Sequence, residues 1–413
     1  MKSSISNSGL KLLSILHVFC GQHLKIPPMD RKFGKYSKLA FKIYSFFILI
    51  CSTYFTTSVG YYWYHQRQNF EQVIFFASGF FGTLHCFLRI VYTTVRKAKI
   101  EAISSKIHVM LHHHNLLETD TTKFTQKLSR VIQVLVLTFF TTFAVALVST
   151  FITSLENFDK VMEMLRENAT YTGDKNFITQ VYYETWKSVW SNNKYFNIPD
   201  AALRSYIKVT SIFIYVLCYL AIGRLVVSDV LIYSWYSTIV NQYQQLADSL
   251  PQVMAAGEDL KKVQYWIRYH SLLNELLNEI NSFAAPVVLV AVVFTGIKIS
   301  MCSFVIFKLH EELSIVPFIA FGVTSMQQVL VYCVLGQKIR NNIAMIHKKG
   351  YRCPWTGHEH EKKKAALMIC MAVSEKAGHK LPGAPFFSMS LHFFASMASV
   401  VFTYFVVLIQ IIN

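Results

Sequence analysis

The chain carries seven long apolar stretches, at 43–62, 73–95, 131–152, 206–223, 283–307, 313–335 and 385–412, each close to the ~20 residues a helix needs to cross ~30 Å of hydrocarbon. Such density leaves too little polar sequence to cover a water-facing surface. Only 15% of residues are Asp, Glu, Lys or Arg, against about 25% in an ordinary soluble chain, and 53% are hydrophobic. The expected fold class is therefore all-α, a seven-transmembrane helical membrane protein. The fourth stretch is short, but apolar residues continue past Arg224 to Tyr236, so its helix is expected to project beyond the bilayer. The run 12–20 is too short to span. No small-residue cleavage site follows Cys20, so it reads as an amphipathic cytosolic helix rather than a signal peptide.

Orientation follows from the basic residues, which accumulate on the cytoplasmic side. With an intracellular N-terminus, the inside segments 1–38, 96–130, 236–281 and 337–384 hold 27 Lys and Arg, and the outside segments 63–72, 153–205 and 308–312 hold 8. The N-x-T sequon at Asn168 falls in the large 153–205 loop that this orientation makes extracellular, and Asn168 is the expected glycosylation site. None of the eight cysteines lies in an outside loop, so no disulfide framework is implied. The net charge of +17 suits an anionic inner leaflet, and with seven spans to place, membrane lipids are the expected partner and nucleic acid is not.

Seven spans with the N-terminus inside put the C-terminus outside, the inverse of a G-protein-coupled receptor. The seventh span lacks an N-P-x-x-Y pattern, and Asn413 follows it directly, leaving no cytosolic tail. That class is rejected. The expected organisation is a cytosolic segment 1–42, helices one to four in 43–236, a cytosolic helical anchor 237–281, helices five and six in 282–336, a second anchor segment 337–384 and the last helix in 385–413. Pro251 and Gly257 are read as breakers. After them Val263, Ile267, Leu273, Leu277 and Ile280 recur at helical spacing with His270 in register, so this helix is expected to run straight into the fifth span. Ile339, Ile343 and Ile346 repeat the signature beyond the sixth. These stripes need apolar partners, within one chain or between chains. If between, a charge at Leu273 and Leu277 should produce monomers.

Chemistry for an enzyme is missing: phosphate loops, G-x-S-x-G and H-E-x-x-H do not occur. His112-His113-His114 point around a helix, and Cys353, His358 and His360 match no common zinc spacing, so neither metal nor cofactor is expected. Arg89, Arg224 and Asp229 fall near cytoplasmic ends, where snorkelling or a local ion pair explains them. Lys298 sits deeper and is a candidate for contact with a ligand or a permeation path.

The last span carries the sharpest pattern. Ser388, His392, Ser396, Ser399, Thr403, Val406 and Gln410 follow one another at intervals of three or four and share one helical face. Polar side chains are unfavourable against lipid, so the stripe should face protein or water. Ser and Thr also serve helix packing, but a continuous stripe ending in Gln favours a pore lining. One helix cannot enclose a pore, which makes a homo-oligomer part of the expectation. Ser396, Ser399, Thr403, Val406, Val407, Gln410 and Ile411 are the candidate pore and gate residues.

The same stretch resembles the C-terminal pattern of insect gustatory receptors: Thr403-Tyr404, five apolar residues, then Gln410, with Ile411 where the family pattern usually closes with Phe. The related insect odorant receptors share the architecture and more often carry Ser-Tyr at this point. The resemblance implies a homotetrameric plasma-membrane channel for permeant cations, working alone or as a heteromer with related receptors. It implies opening by a small-molecule tastant, a last helix split near 378–385, and a ligand pocket in the outer half of the second, third, fourth and sixth spans. The pocket candidates are Phe76, Phe80, Phe140, Phe143, Tyr215, Thr324 and Gln327, with Lys298 beside them. A secondary transporter using Lys298 and Arg224 is the alternative from another class.

Overall fold

The computed structural model describes residues 42–50, 70–113, 200–255, 260–308, 316–352 and 388–412, with further helical residues at scattered positions of 52–64 and 130–148. Six helices are complete within these ranges: α1 (Phe70–Val95), α2 (Lys97–His113), α3 (Asp200–Ala255), α4 (Leu260–Lys308), α5 (Val316–Arg352) and α6 (Leu391–Ile412). No strand occurs among the described residues. The 337–384 anchor segment beyond Arg352, most of the 153–205 loop with Asn168, and Phe140 and Phe143 lie outside the described residues.

Helix length is the first departure from a simple bundle of spans. At 1.5 Å per residue the 56, 49 and 37 residues of α3, α4 and α5 extend about 84, 73 and 55 Å. All three overrun ~30 Å of hydrocarbon, as the apolar stripes beyond the fourth, fifth and sixth spans require. α3 already begins at Asp200, inside the segment read as loop. It also continues four residues past Pro251, so this proline does not end it. Pro286 likewise sits inside α4. A proline there removes one backbone hydrogen bond and disturbs its neighbours. Nearby α4 carbonyls also take side-chain donors, with Tyr92 Oη donating to Phe283 O at 2.9 Å and Arg89 Nη1 to Val287 O at 3.2 Å.

The overrunning ends build a helical base, and the main core lies there. Val230, Tyr236, Tyr243 and Leu246 of α3 meet Leu273, Leu277 and Ile280 of α4, Ile339, Ile343 and Ile346 of α5, and Ile100 and Ile103 of α2. Each such side chain contributes about 1.5–3 kcal/mol relative to exposure. The expected anchor stripe is thus satisfied within one chain. Leu273 and Leu277 are fully buried, and the reading that places them between chains is corrected: they meet α3, α5 and their own helix neighbours first.

Polar groups inside the base are paired across helices. Tyr236 Oη donates to Asn281 Oδ1 at 3.1 Å, Tyr243 Oη to Asn274 Oδ1, and Trp266 Nε1 to Leu246 O at 3.1 Å. His270 stacks on Trp266 with ring centres 5.4 Å apart. Burial, assisted by the nearby His347, lowers its pKa from 6.5 to about 4, so it is neutral in the folded base.

Candidate ligand cavity and pore helix

Along α1, Gly82, His85, Cys86 and Arg89 fall at intervals of three and one and so share a face. That face meets α3, α4 and α5 at the level of the spans. Lys298 comes to it from α4. Its Nζ lies 3.3 Å from His85 Nδ1 and 5.0 Å from the centre of the Phe321 ring. With 4% of Lys298 exposed, the ammonium has not snorkelled to an interface. His85 is held in turn by stacking on Phe294, ring centres 5.3 Å apart and planes within 9°. A small cavity of about 20 Å³ opens here, lined by Gly82, His85, Cys86, Lys298, Phe321, Thr324 and Gln328 among others. Gly82 is small because Phe321 stands over it: a Cβ would lie 3.3 Å from the ring.

Directly beside the cavity, Arg89 and Asp229 form an ion pair with only 2% and 1% of their side chains exposed. Asp229 also accepts from Gln328 Nε2 and, at 2.7 Å, from Tyr332 Oη, and Tyr233 Oη donates to Gln328 O at 3.0 Å. An isolated charge here would be expensive, and this network distributes the Asp229 charge over three donors. Gln328 belongs to both features, so one side chain links the cavity wall to the ion pair. Arg224, one turn earlier on α3, donates to Thr94 Oγ1 at 2.6 Å and lies 3.5 Å from Ser45 Oγ, tying α3 to α1 and to the first span.

The structure brings together two of the sequence-predicted ligand residues, Lys298 and Thr324. Gln327 goes elsewhere: it lines an apolar groove of about 450 Å³ between α4, α5 and α6, with Ile299, Phe318, Val323 and Phe394. Phe80 packs near Phe81, ring centres 5.5 Å apart. Phe76 and Tyr215 are on α1 and α3, but their side chains lie outside the described residues. His85 escaped sequence reasoning, because a lone histidine on an apolar helix signals nothing by itself. Its i, i+3, i+4 relation to Gly82, Cys86 and Arg89 was the available sign.

α6 starts where Ser390 caps it. The Phe393 amide donates to Ser390 Oγ and the Phe394 amide to Ser390 O, both at 3.1 Å. Arg340 of α5 donates to the Met389 carbonyl just before the cap. The helix then packs on α4 and α5, with Phe394, Met397, Ala398, Val401 and Phe405 half-buried on one face and the Phe307 and Phe405 rings edge to face at 4.8 Å. Ser396, Ser399, Thr403 and Gln410 lie on the opposite face and are exposed; Val406 is half-buried and Val407 45% exposed. Ser396 and Thr403 satisfy their hydroxyls on the helix's own carbonyls, His392 O and Ser399 O. Apolar Val400 and Phe402, flanking the stripe on either side, are 69% and 67% exposed. The Ile411 backbone is helical, and its side chain lies outside the described residues.

An all-helical bundle whose helices overrun the bilayer, with a polar-striped terminal helix, is the architecture of a multi-pass membrane protein. A family model described as 7tm odorant receptor matches residues 69–402, and the chain belongs to that family, within the insect chemoreceptor superfamily. Solved structures agree on the fold. The insect olfactory receptor OR5 from Machilis hrabei superposes with a TM-score of 0.67 over 98% of each chain at 13% identity. Its complex with eugenol gives 0.63 over the same shares at 12%. Seven membrane-spanning helices are therefore the fold of this chain. Among curated proteins, the odorant receptor coreceptor of Anopheles gambiae is 24% identical over 153 residues, 36% of this chain and 31% of that protein. The Drosophila melanogaster coreceptor is 24% identical over 151 residues, 36% and 30%. The chain thus matches about a third of the length of these relatives.

Proposed function

We propose that the chain is a subunit of a ligand-gated cation channel, opened by a small molecule that reaches the cavity between α1, α4 and α5. The observation that carries this reading is the placement of α6. Its apolar side is used against α4 and α5, while Ser396, Ser399, Thr403 and Gln410 are left uncovered by their own chain. Polar residues at membrane depth need water or protein, and a closed ring of subunits supplies both. Four copies around the axis, with an intracellular N-terminus, an extracellular 153–205 loop and glycosylation at Asn168, complete the reading. It holds for a gustatory or an odorant ligand alike, and for a homotetramer or a heteromer with related receptors. Family membership supports a receptor and gives no support to the transporter alternative.

In the closed state Val406 or Val407 forms an apolar ring, which stops ions by dewetting. The stripe bears no acidic ring, so the open pore should pass cations with weak selectivity. Substituting Val406 or Val407 with Ser should raise ligand-independent current, and substituting Gln410 should alter conductance or ion preference. If all three leave resting current and permeation unchanged at normal surface density, α6 does not line a pore. Single-channel conductance far above carrier turnover separates the channel from a transporter.

A further inference from the structure

Lys298 brings to the cavity a positive charge that no carboxylate among the described residues meets. Lys298 Nζ has three N–H groups, and among the described residues only His85 Nδ1 accepts from it. Accepting at Nδ1 leaves the imidazole proton on Nε2, which is buried and without a partner. The neighbouring side-chain donors are already committed. Thr324 Oγ1 donates to Ala320 O, Ser325 Oγ to Phe321 O, and Gln328 Nε2 to Asp229. Asp229 is occupied by Arg89, Gln328 and Tyr332 and forms no ion pair with Lys298. The Phe321 ring face contributes only about 0.5–2 kcal/mol to a buried cation, far short of what removing an ammonium from water costs.

We propose that this cavity receives a carboxylate, and that the channel's ligand is a small organic acid with an apolar body. The assignment rests on the channel reading above and adds the ligand's chemical class. A carboxylate brings the negative charge and the acceptor oxygens that the two remaining N–H groups of Lys298 lack among the described residues. The volume of about 20 Å³ suits one oxygen-sized group, which seats a carboxylate oxygen against Lys298 while the apolar remainder stays outside it. The Phe321 ring, in the cavity wall beside Lys298, is the apolar surface for that remainder. Binding then neutralises a cation on α4 that also stacks on α5, so acid binding biases the relative position of the two helices that carry α6.

The test uses matched probes: hexanoate, methyl hexanoate and 1-hexanol, then phenylacetate and its methyl ester. Thermal stabilisation of the purified full chain reads binding, and whole-cell current reads opening. The acids should stabilise the wild type at concentrations about tenfold or more below their esters, the usual advantage of a charged hydrogen bond. Lys298→Met should erase that difference, while Lys298→Arg should retain most of it. Should Lys298→Met not fold, the wild-type ranking decides alone. Esters or alcohols equalling the acids, an acid preference that survives Lys298→Met, stabilisation by chloride alone to the same extent, or no binding by any probe overturns the assignment. Acid binding without current supports the assignment and counts against the channel reading. Current evoked by esters and not by acids does the reverse.

Discussion

A Cβ placed on Gly336 would lie 2.7 Å from the carbonyl oxygen of Met389. Backbone therefore meets backbone where α5 passes the start of α6. Arg340, one turn further along α5, donates to the same Met389 carbonyl and lies 3.4 Å from Ser388 Oγ. Met389 is itself buried, and Ser390 follows as the cap. The root of α6 is clamped to the helix that also walls the small cavity through Phe321, Thr324 and Gln328.

Gly336→Ala should force this contact apart. The expected cost is about 1–3 kcal/mol of stability, the usual range for overpacking, and a several-fold lower maximal ligand-evoked current at equal surface density. Current normalised to surface labelling checks it; an unchanged maximum would show that the clamp does not transmit movement.

The Arg89–Asp229 pair should behave as a buried ion pair. Removing either partner, by Arg89→Met or Asp229→Leu, leaves the other charged, and each should lose about 3–5 kcal/mol. The double variant should recover much of that loss, since neither charge remains. Melting temperatures in detergent for the two singles and the double give the comparison, and simple additivity would contradict the coupling.

His270 supplies a pH dependence with a definite sign. Its folded pKa of about 4 lies below the 6.5 of the exposed group, so the unfolded chain takes up the proton first as pH falls. Its contribution is fully present above pH 6.5 and is lost progressively between 6.5 and about 4. His270→Phe keeps a ring against Trp266 and removes the titration. The melting temperature of the variant should fall less than that of the wild type between pH 7.5 and 5.

Leu272 and Leu273 are neighbours in α4 with opposite exposures, 47% and fully buried. Leu273→Glu should prevent folding of the base, because it puts a charge among α3 and α5 side chains. Leu272→Glu should fold normally and, if the proposed oligomer uses this exposed face, weaken assembly. Size-exclusion profiles of the two variants in mild detergent distinguish misfolding from dissociation; an unaltered oligomer with Leu272→Glu would place the contact elsewhere.

Much of this architecture was legible because helices report their own faces. The intervals between Leu273, Leu277 and Ile280, or between Ile339, Ile343 and Ile346, announce an apolar stripe from sequence alone, and every one of these residues is buried. Likewise Ser396, Ser399, Thr403 and Gln410 mark one face, which the fold leaves uncovered. Pro251 misled because its effect is local: removing one hydrogen bond near the end of a long, packed helix does not stop it when α4 and α5 hold the chain in place.

The chain's sequence by itself determined the membrane class, the overrunning helices and the polar stripe, since all three follow from composition and a 3.6-residue period. Only the tertiary structure decided what each face meets. His85 and Lys298 stand 213 residues apart and Arg89 and Asp229 140 apart, and no local periodicity encodes such a pairing. Whether Leu273 served its own chain or another, and whether Lys298 snorkelled or stayed buried beside His85, depended on how four helices pack. Close packing selects partners by shape and by the need to satisfy buried charge, and both are properties of the assembled fold.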